Sequence, residues 1–275
     1  MDLAPSSTLL WIGLGLNALT PILAYIRRSL NLSGMISAMI MGGIIFIIGG
    51  FFLWSILIGF FISSSVLSQY KKKYKKRFDS LYAKTSQRDS IQVIANGGVG
   101  LVCALIYAVV PDPLVLVLYG VSFASVNADT WASELGILSK KDPVFLWSQK
   151  RVQKGQSGGV TCLGTLAAFS GAIFIALIYT FGIIWSIGWS STLVWHGIII
   201  IVGGVFGSLI DSLLGETVQA QYCQENSTFT EKPISEKGAP NPLVKGWRWL
   251  NNDGVNFSSC LATTLLMFGI GWIVL

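Results

Sequence analysis

The sequence predicts an all-α, polytopic transmembrane helix bundle of about eight spans, on three observations. Of 275 residues, 52% are hydrophobic and only 12% charged, with a mean hydropathy of +0.64; a soluble domain carries about 25% charged residues. The charge is clustered, which leaves long stretches without Lys, Arg, Asp or Glu. Those stretches are long enough to cross a bilayer, which takes about 20 apolar residues. Helices and short connections consume nearly the whole chain. A single integral membrane domain over 1–275 is expected, with loops at about 70–90, 137–157 and 217–253.

Helix 1 is expected over about Thr8–Ile26. The apolar run Ser33–Gln69 is too long for one span and divides at Gly49-Gly50 into helices 2 and 3. Helix 4 runs from Ile91 to Val110, and Pro111-Asp112-Pro113 turns into helix 5, which ends near Gly136. Helices 6, 7 and 8 cover about Gly158–Tyr179, Leu193–Gly215 and Gly254 to the C-terminus. Seven or nine spans are the alternatives, since Gly49-Gly50 and the segment between helices 6 and 7 are the weakest boundaries. No cleavable signal peptide is expected, because the first apolar segment lacks a basic flank and a small-residue cleavage pattern.

The basic residues test this layout. All 19 Lys and Arg fall into four connections. These hold Arg27 and Arg28; Lys71 to Arg77 with Lys84 and Arg88; Lys140 to Lys154; and Lys232, Lys237, Lys245 and Arg248. With eight spans every one lies on one side, and the positive-inside bias makes that side cytosolic. The net charge of +6 is thereby read as orientation and attraction to anionic lipid, with no nucleic-acid partner. The expected setting is an endoplasmic reticulum or other organelle membrane in a eukaryote, or the plasma membrane in a prokaryote.

The acidic residues fall differently. Asp2 and Asp112 lie on the outer side, whereas Asp129, Glu134, Asp211, Glu216 and Asp253 sit at cytosolic helix ends. Carboxylates at the margin of apolar helices are costly unless paired or metal-bound. They also repeat: Asp129-Thr130-Trp131-Ala132-Ser133-Glu134 and Asp211-Ser212-Leu213-Leu214-Gly215-Glu216 both read D-[ST]-x-x-x-E. The helices leaving that side are expected to start alike, at Ser33-Gly34-Met35, Asn96-Gly97-Gly98-Val99, Ser157-Gly158-Gly159-Val160 and Asn252-Asp253-Gly254-Val255. Capping and close helix packing account for the first two. The last two follow D-x4-E elements, and the whole reads as a duplicated helical hairpin with two matching half-sites.

Four elements carry candidate chemistry. In the first, Asp129 is a candidate Mg²⁺ ligand, with Asn127, Thr130 and Ser133 around it, because Mg²⁺ takes one or two carboxylates and leaves its other positions to water and phosphate. Residues five apart on a helix point about 140° from each other, so Glu134 is expected either to support the ligands from outside the metal or to pair with a basic loop, rather than share that metal. The second is its mirror, Asp211 with Ser208, Ser212 and Glu216. The third is Lys154-Gly155-Gln156-Ser157-Gly158-Gly159-Val160-Thr161, preceded by Lys150 and Arg151. Glycines and helix-start N–H groups there suit phosphate, although no Walker A sequence is present; a flexible linker with a Ser cap is the plain alternative. The fourth is Asn251-Asn252-Asp253-Gly254-Val255-Asn256, in which Asn251 is a capping residue and Asn252, Asp253 and Asn256 are site candidates.

Other features call for no chemistry. The sole histidine, His196, lies near the outer end of helix 7. Cys103, Cys162, Cys223 and Cys260 form no CxxC pair. The Lys71 to Arg77 run reads as a topology signal or lipid-facing patch. The sequons at Asn31, Asn226 and Asn256 fall on the basic side, where no glycan is expected. The ten Trp are read as interfacial anchors and core.

The strings Asp129-Thr130-Trp131-Ala132-Ser133-Glu134-Leu135-Gly136, Gly158-Gly159-Val160-Thr161, Gly207-Ser208-Leu209-Ile210-Asp211-Ser212 and Asn252-Asp253-Gly254-Val255-Asn256 resemble the transmembrane protein 19 family. That family includes the plant phytyl-phosphate kinases, and the similarity runs over nearly the whole chain. The resemblance implies transfer of phosphate from a nucleoside triphosphate, often CTP, to an isoprenyl monophosphate. The chain is more distantly similar to dolichol kinase and CDP-diacylglycerol synthase, which also combine an Asp near a helix end, a basic loop and a glycine-containing helix start. Asp129, the Lys140 to Lys154 loop and Ser157 to Thr161 fall in that order, which implies CTP and Mg²⁺ by analogy. The expectation is a lipid-phosphate kinase using Asp129, Asp211 and Asp253 as metal ligands and Lys154 on the phosphates. A cytidylyltransferase or a transporter is the alternative, and a homo-oligomer is compatible with either.

Overall fold

The computed structural model describes residues 6–78, 81–84, 87–224, 228–235 and 238–275; Asp2, Asn226 and Lys237 lie outside them. Among the described residues, seven helices are long and apolar enough to cross a membrane. They are α1 (Ser7–Ile26), α2 (Leu32–Gln69), α4 (Ser90–Val109), α5 (Pro113–Gly136), α6 (Cys162–Ile187), α7 (Thr192–Thr217) and α8 (Asn252–Val274). A short α3 (Lys72–Lys75) follows α2.

The helix α2 is two spans folded on each other. Its 38 residues include Gly50 at φ 54° and ψ −149°, outside helical geometry, in a region that essentially only glycine occupies. The contacts show the reversal. Phe46 meets Phe51 and Trp54 edge-on at 5.0 and 6.2 Å. Asn17 of α1 ties both arms together, donating to Met39 O at 2.9 Å and accepting from the Trp54 indole at 3.1 Å. Arg88 also touches both, accepting from Asn31 N at 3.1 Å and lying 5.9 Å over the Phe61 ring. Each arm has about 19 residues, or ~28 Å of helix, enough to cross. The chain therefore passes eight times, with the division where the sequence places it.

At the centre stands α5, packed by α2, α4, α6, α7 and α8, whereas α1 packs chiefly on α2. The core around α5 is aromatic and fully buried at Tyr119, Phe123 and Tyr179; the Tyr119 hydroxyl donates to Leu53 O at 2.7 Å, close to the Gly50 reversal. Trp11, Trp185, Trp189, Trp195 and Trp272 are all exposed near the helix ends opposite the basic connections, where an indole suits the boundary between hydrocarbon and water. His196 is buried and hydrogen-bonded to the Tyr179 hydroxyl at 3.1 Å.

Helix starts depart from the sequence reading in two places. Asn96-Gly97-Gly98-Val99 lies inside α4, which begins with an Asp89/Gln92 capping box. Gly158-Gly159 precedes α6, whose cap is Thr161; an apolar run does not reveal where a helix begins when glycines extend it. The recurring device is instead a capping side chain that accepts from a glycine three residues on. Asn31 and Gly34, Thr161 and Gly164, and Asn251 and Gly254 each form it, at 2.9, 3.0 and 3.0 Å. At Gly34 a Cβ would lie 2.2 Å from Arg88 O.

The connections at the basic end fold over the bundle as a cap. Strands β1 (Val144–Phe145) and β2 (Gly159–Val160) form an antiparallel pair, and β3 (Gln221–Cys223) lies between β4 (Phe229–Thr230) and β5 (Leu243–Lys245). Glu231 N and the Thr230 hydroxyl both donate to Leu81 O, joining the last connection to the one after α3.

Gly50→Ala should destabilise the protein by about 1–3 kcal/mol, read as a lower thermal-unfolding midpoint in detergent. Gly15→Ala in α1, where an added Cβ meets nothing within 4 Å, should leave the midpoint unchanged or raised.

Candidate functional site

Under the cap, at the basic end of α5 and α7, lies a cavity of about 410 Å³. It gathers most of the residues singled out in the sequence: Asp129, Thr130, Ser133, Glu134, Lys154, Ser157, Gly158, Gly159, Thr161, Ser208, Asp211, Ser212, Asn252, Asp253 and Asn256. They come from three helices and a loop. Convergence follows from helix geometry, because α5 and α7 run in the same direction and each turns one D-[ST] pair inward.

Asp129 and Asp211 both line this cavity, near enough for their charges to act on each other. Ser208 of α7 lines the cavity beside Asp129. Ser259 donates to Asp211 Oδ2 at 3.1 Å, and the Asn256 amide donates to the same oxygen at 3.0 Å. None of the ion pairs among the described residues reaches either carboxylate. Two carboxylates near enough to feel each other's charge repel when both are ionised.

The expected three-carboxylate metal set does not assemble. Among the described residues no three His, Cys, Asp or Glu side chains come together in metal-binding geometry. Asp253 is taken by Lys84, whose Nζ lies 2.5 Å from its Oδ2 and 2.8 Å from Asp89 Oδ2. Burial works against the Lys84 ammonium, but hydrogen bonds and charge from Asp253 and Asp89 outweigh it and raise its pKa above the usual lysine value.

Glu134 takes the basic-loop partner that the 140° argument allows, pairing with Lys75 Nζ at 2.5 Å and accepting from the Ser68 hydroxyl. The Lys71 to Arg77 run is therefore more than a lipid-facing patch. Lys71, at φ 51°, reverses the chain, Lys75 folds back to donate to Leu67 O at 2.7 Å, and Lys72 and Lys75 line the cavity.

Four candidates lie outside the cavity. Asn127 is fully buried and donates to Gly171 O at 2.8 Å, tying α5 to α6. Glu216 points away, accepting from Trp147 N and Ser148 N at 2.7 and 2.9 Å. Lys150 and Arg151 are exposed on the loop beyond β1. Other polar residues enter unannounced: Lys84, Arg88, Gln92, Asn96, Gln219 and Glu231. Glu231 accepts from Ser157 and Gln219 at 2.7 and 2.8 Å. Burial pushes its carboxyl above the usual range against those bonds.

The glycine element is built for close approach. Gly158 has φ +84°, and a Cβ there would lie 2.4 Å from Glu216 N. The segment before α6 thus rests directly on the end of α7. Lys154 Nζ donates to Ser139 O at 2.5 Å, which holds the ammonium at the cavity wall.

The family profile described as Integral membrane protein DUF92 matches residues 15–264. Protein PGR of Arabidopsis thaliana is 31% identical, over 97% of each chain. An uncharacterised membrane protein of Methanocaldococcus jannaschii is 34% identical over 68% of this chain and 74% of its own. Another, from Synechocystis, is 26% identical over 85% of this chain and 79% of its own. No solved structure matches.

Gly158→Ala should speed hydrogen exchange at the Glu216 amide and lower the unfolding midpoint, as the segment lifts from α7. Burial lowers the pKa of Lys245 to about 8, against the charge of Glu216. A lysine that loses its proton more easily folded than unfolded adds stability as pH rises from about 8 towards its unfolded value. The unfolding midpoint should rise across that window, and Lys245→Met should flatten the rise.

Proposed function

The chain belongs to the DUF92 family of integral membrane proteins, and from that premise we propose that it is a CTP-using kinase. It converts an isoprenyl or phytyl-type lipid monophosphate into its diphosphate, at the cytosolic face of the membrane. The observation that carries this reading is one cavity at the basic end, in which the unpaired carboxylates Asp129 and Asp211 face a wall of Lys72, Lys75, Lys84, Arg88 and Lys154. Such a site suits a polyphosphate and a divalent cation together.

The residues fit Mg²⁺ as a two-carboxylate site, since that ion takes one or two carboxylates and keeps water and phosphate oxygens elsewhere. Asp129 and Asp211 would hold it, and when bound it supplies charge neutralisation on the nucleotide phosphates. Asp253 acts instead by fixing Lys84 at the cavity wall. Lys154 and the backbone around Gly158 and Gly159 hold the phosphate chain. A lipid phosphate oxygen forms a bond to the γ-phosphorus as the bond to the β,γ-bridging oxygen breaks, and CDP leaves. The nucleophile is already anionic, so positioning and charge suffice and no histidine is required.

Two other readings use the same cavity. A cytidylyltransferase would direct the lipid phosphate at the α-phosphorus and release pyrophosphate. A transporter would need a path through the outer half. There the core of Leu53, Tyr119 and Tyr179 is closed, which speaks against it.

CTP labelled in parallel on the base and on the γ-phosphate separates the readings. The kinase moves γ-label into lipid and releases labelled CDP; base label in the lipid would identify a cytidylyltransferase. Asp129→Asn and Asp211→Asn should each lower kcat at least ~10²-fold, the scale of a lost electrostatic contact at a reacting phosphate, with the thermal-unfolding midpoint no lower, since each removes one of two mutually repelling charges. Near-normal turnover in either variant would sink the two-carboxylate site.

A further inference from the structure

Beside the polar cavity lies a second, apolar one of about 50 Å³, between α1, both arms of α2, and α4. Pro21, Ala38, Met41, Leu57, Phe61 and Val93 form its walls. Arg88, Gln92 and Asn96 line both cavities. A charged chamber and an apolar slot thus share one polar partition. Gln92 and Asn96 are occupied within α4: the Gln92 side chain accepts from Asp89 N, and Asn96 donates to Gln92 O. Arg88 is different. It is half-buried with its guanidinium over the Phe61 ring, and no ion pair among the described residues reaches it.

We propose that the apolar slot receives the first carbons of a single-chain lipid monophosphate, whose phosphate lies against Arg88 in the polar cavity. This rests on the kinase reading for the fate of that phosphate, but not for its binding. Three arguments carry it. A half-buried guanidinium that feels the charge of Glu134, itself paired with Lys75, and has no ion pair of its own among the described residues can take an anion, and Arg88 stands where the apolar and polar walls meet. A volume of about 50 Å³ corresponds to about three to five water-sized positions. It admits one hydrocarbon chain and not the two that leave a glycerol backbone side by side. Finally, the slot is bounded by α1, which packs chiefly on α2 and exposes Leu16, Leu19 and Leu23. The remainder of a long tail continues along that lipid-facing side.

Within the substrate class already proposed, the slot accounts for a preference for a single linear chain over a diacyl lipid. Geranylgeranyl monophosphate carrying a diazirine on its first isoprene unit tests this, with purified protein and no nucleotide. Photolabel should map to the segments 38–41 and 57–61. Unlabelled geranylgeranyl monophosphate should compete, and dioleoyl phosphatidic acid should not. Ala38→Phe, or the milder Ala38→Leu should the first not fold, should reduce labelling about tenfold. Arg88→Gln should reduce labelling by the phosphate probe about tenfold or more, as loss of a charge-assisted contact does, while sparing the matching diazirine alcohol. Label spread over the outer helix faces, equal competition by phosphatidic acid, or indifference to both substitutions would overturn the proposal. Slot labelling with no CTP-dependent product would leave the slot and remove the kinase. CTP-dependent turnover with an unchanged KM in the Ala38 variant would do the reverse.

Discussion

Hydrocarbon cannot solvate charge, and nearly every feature of this molecule follows from how the chain answers that constraint. Backbone polar groups are satisfied within helices. Nearly all the charged side chains of the described residues, Asp112 apart, are sent to one end, and there they meet: cations from the connections after α2 and α5, carboxylates from α5, α7 and the start of α8. The ion pairs Lys75–Glu134 and Lys84–Asp253 are products of that crowding. So is the unbalanced pair Asp129 and Asp211, which no ion pair among the described residues reaches. The apparatus of a charged site is thus a by-product of membrane topology, refined by which carboxylates remain unpaired.

The geometry of that end depends on glycine in two distinct ways. At Gly50 and Gly158 it permits a positive φ, turning the chain between two spans and laying a loop on the end of α7. At Gly34, Gly164 and Gly254 it occupies the third position of a helix behind an Asn or Thr cap. At Gly34 and Gly164 it lets a neighbouring segment, around Arg88 and around Ala132, come close to the helix start. Three of the helices leaving the basic end share this device, while α4 uses a capping box instead.

Much of this was legible in the sequence, and the boundary of legibility has a physical cause. The spans, the division at Gly49-Gly50 and the gathering of charge at one end follow from hydropathy and residue spacing. Asp129 and Asp211 follow from the cost of a carboxylate at a membrane margin. Helical periodicity also holds the corrections: Asn127 lies about 200° around the helix from Asp129 and Glu216 about 140° from Asp211, so neither shares its neighbour's face. The contacts of Lys75, Lys84, Arg88 and Glu231 were not legible. Each joins separate connections, Lys84 to Asp253 and Glu231 to Ser157 among them. No local pattern encodes how loops fold over one another. The three-metal-ligand expectation failed for that reason, since it counted Asp253 without the lysine that takes it.

The position of α5 has a consequence for how the protein is made. It is the least apolar of the seven spanning helices and the most enclosed by its neighbours, and it carries Asn127, Asp129 and Glu134. Alone in a bilayer it would be the weakest candidate to stay inserted. Its partners α6, α7 and α8 are all synthesised after it. Biogenesis therefore has an order: α5 must be retained beside α2 and α4, or held by the insertion machinery, until the second half of the chain arrives to enclose it.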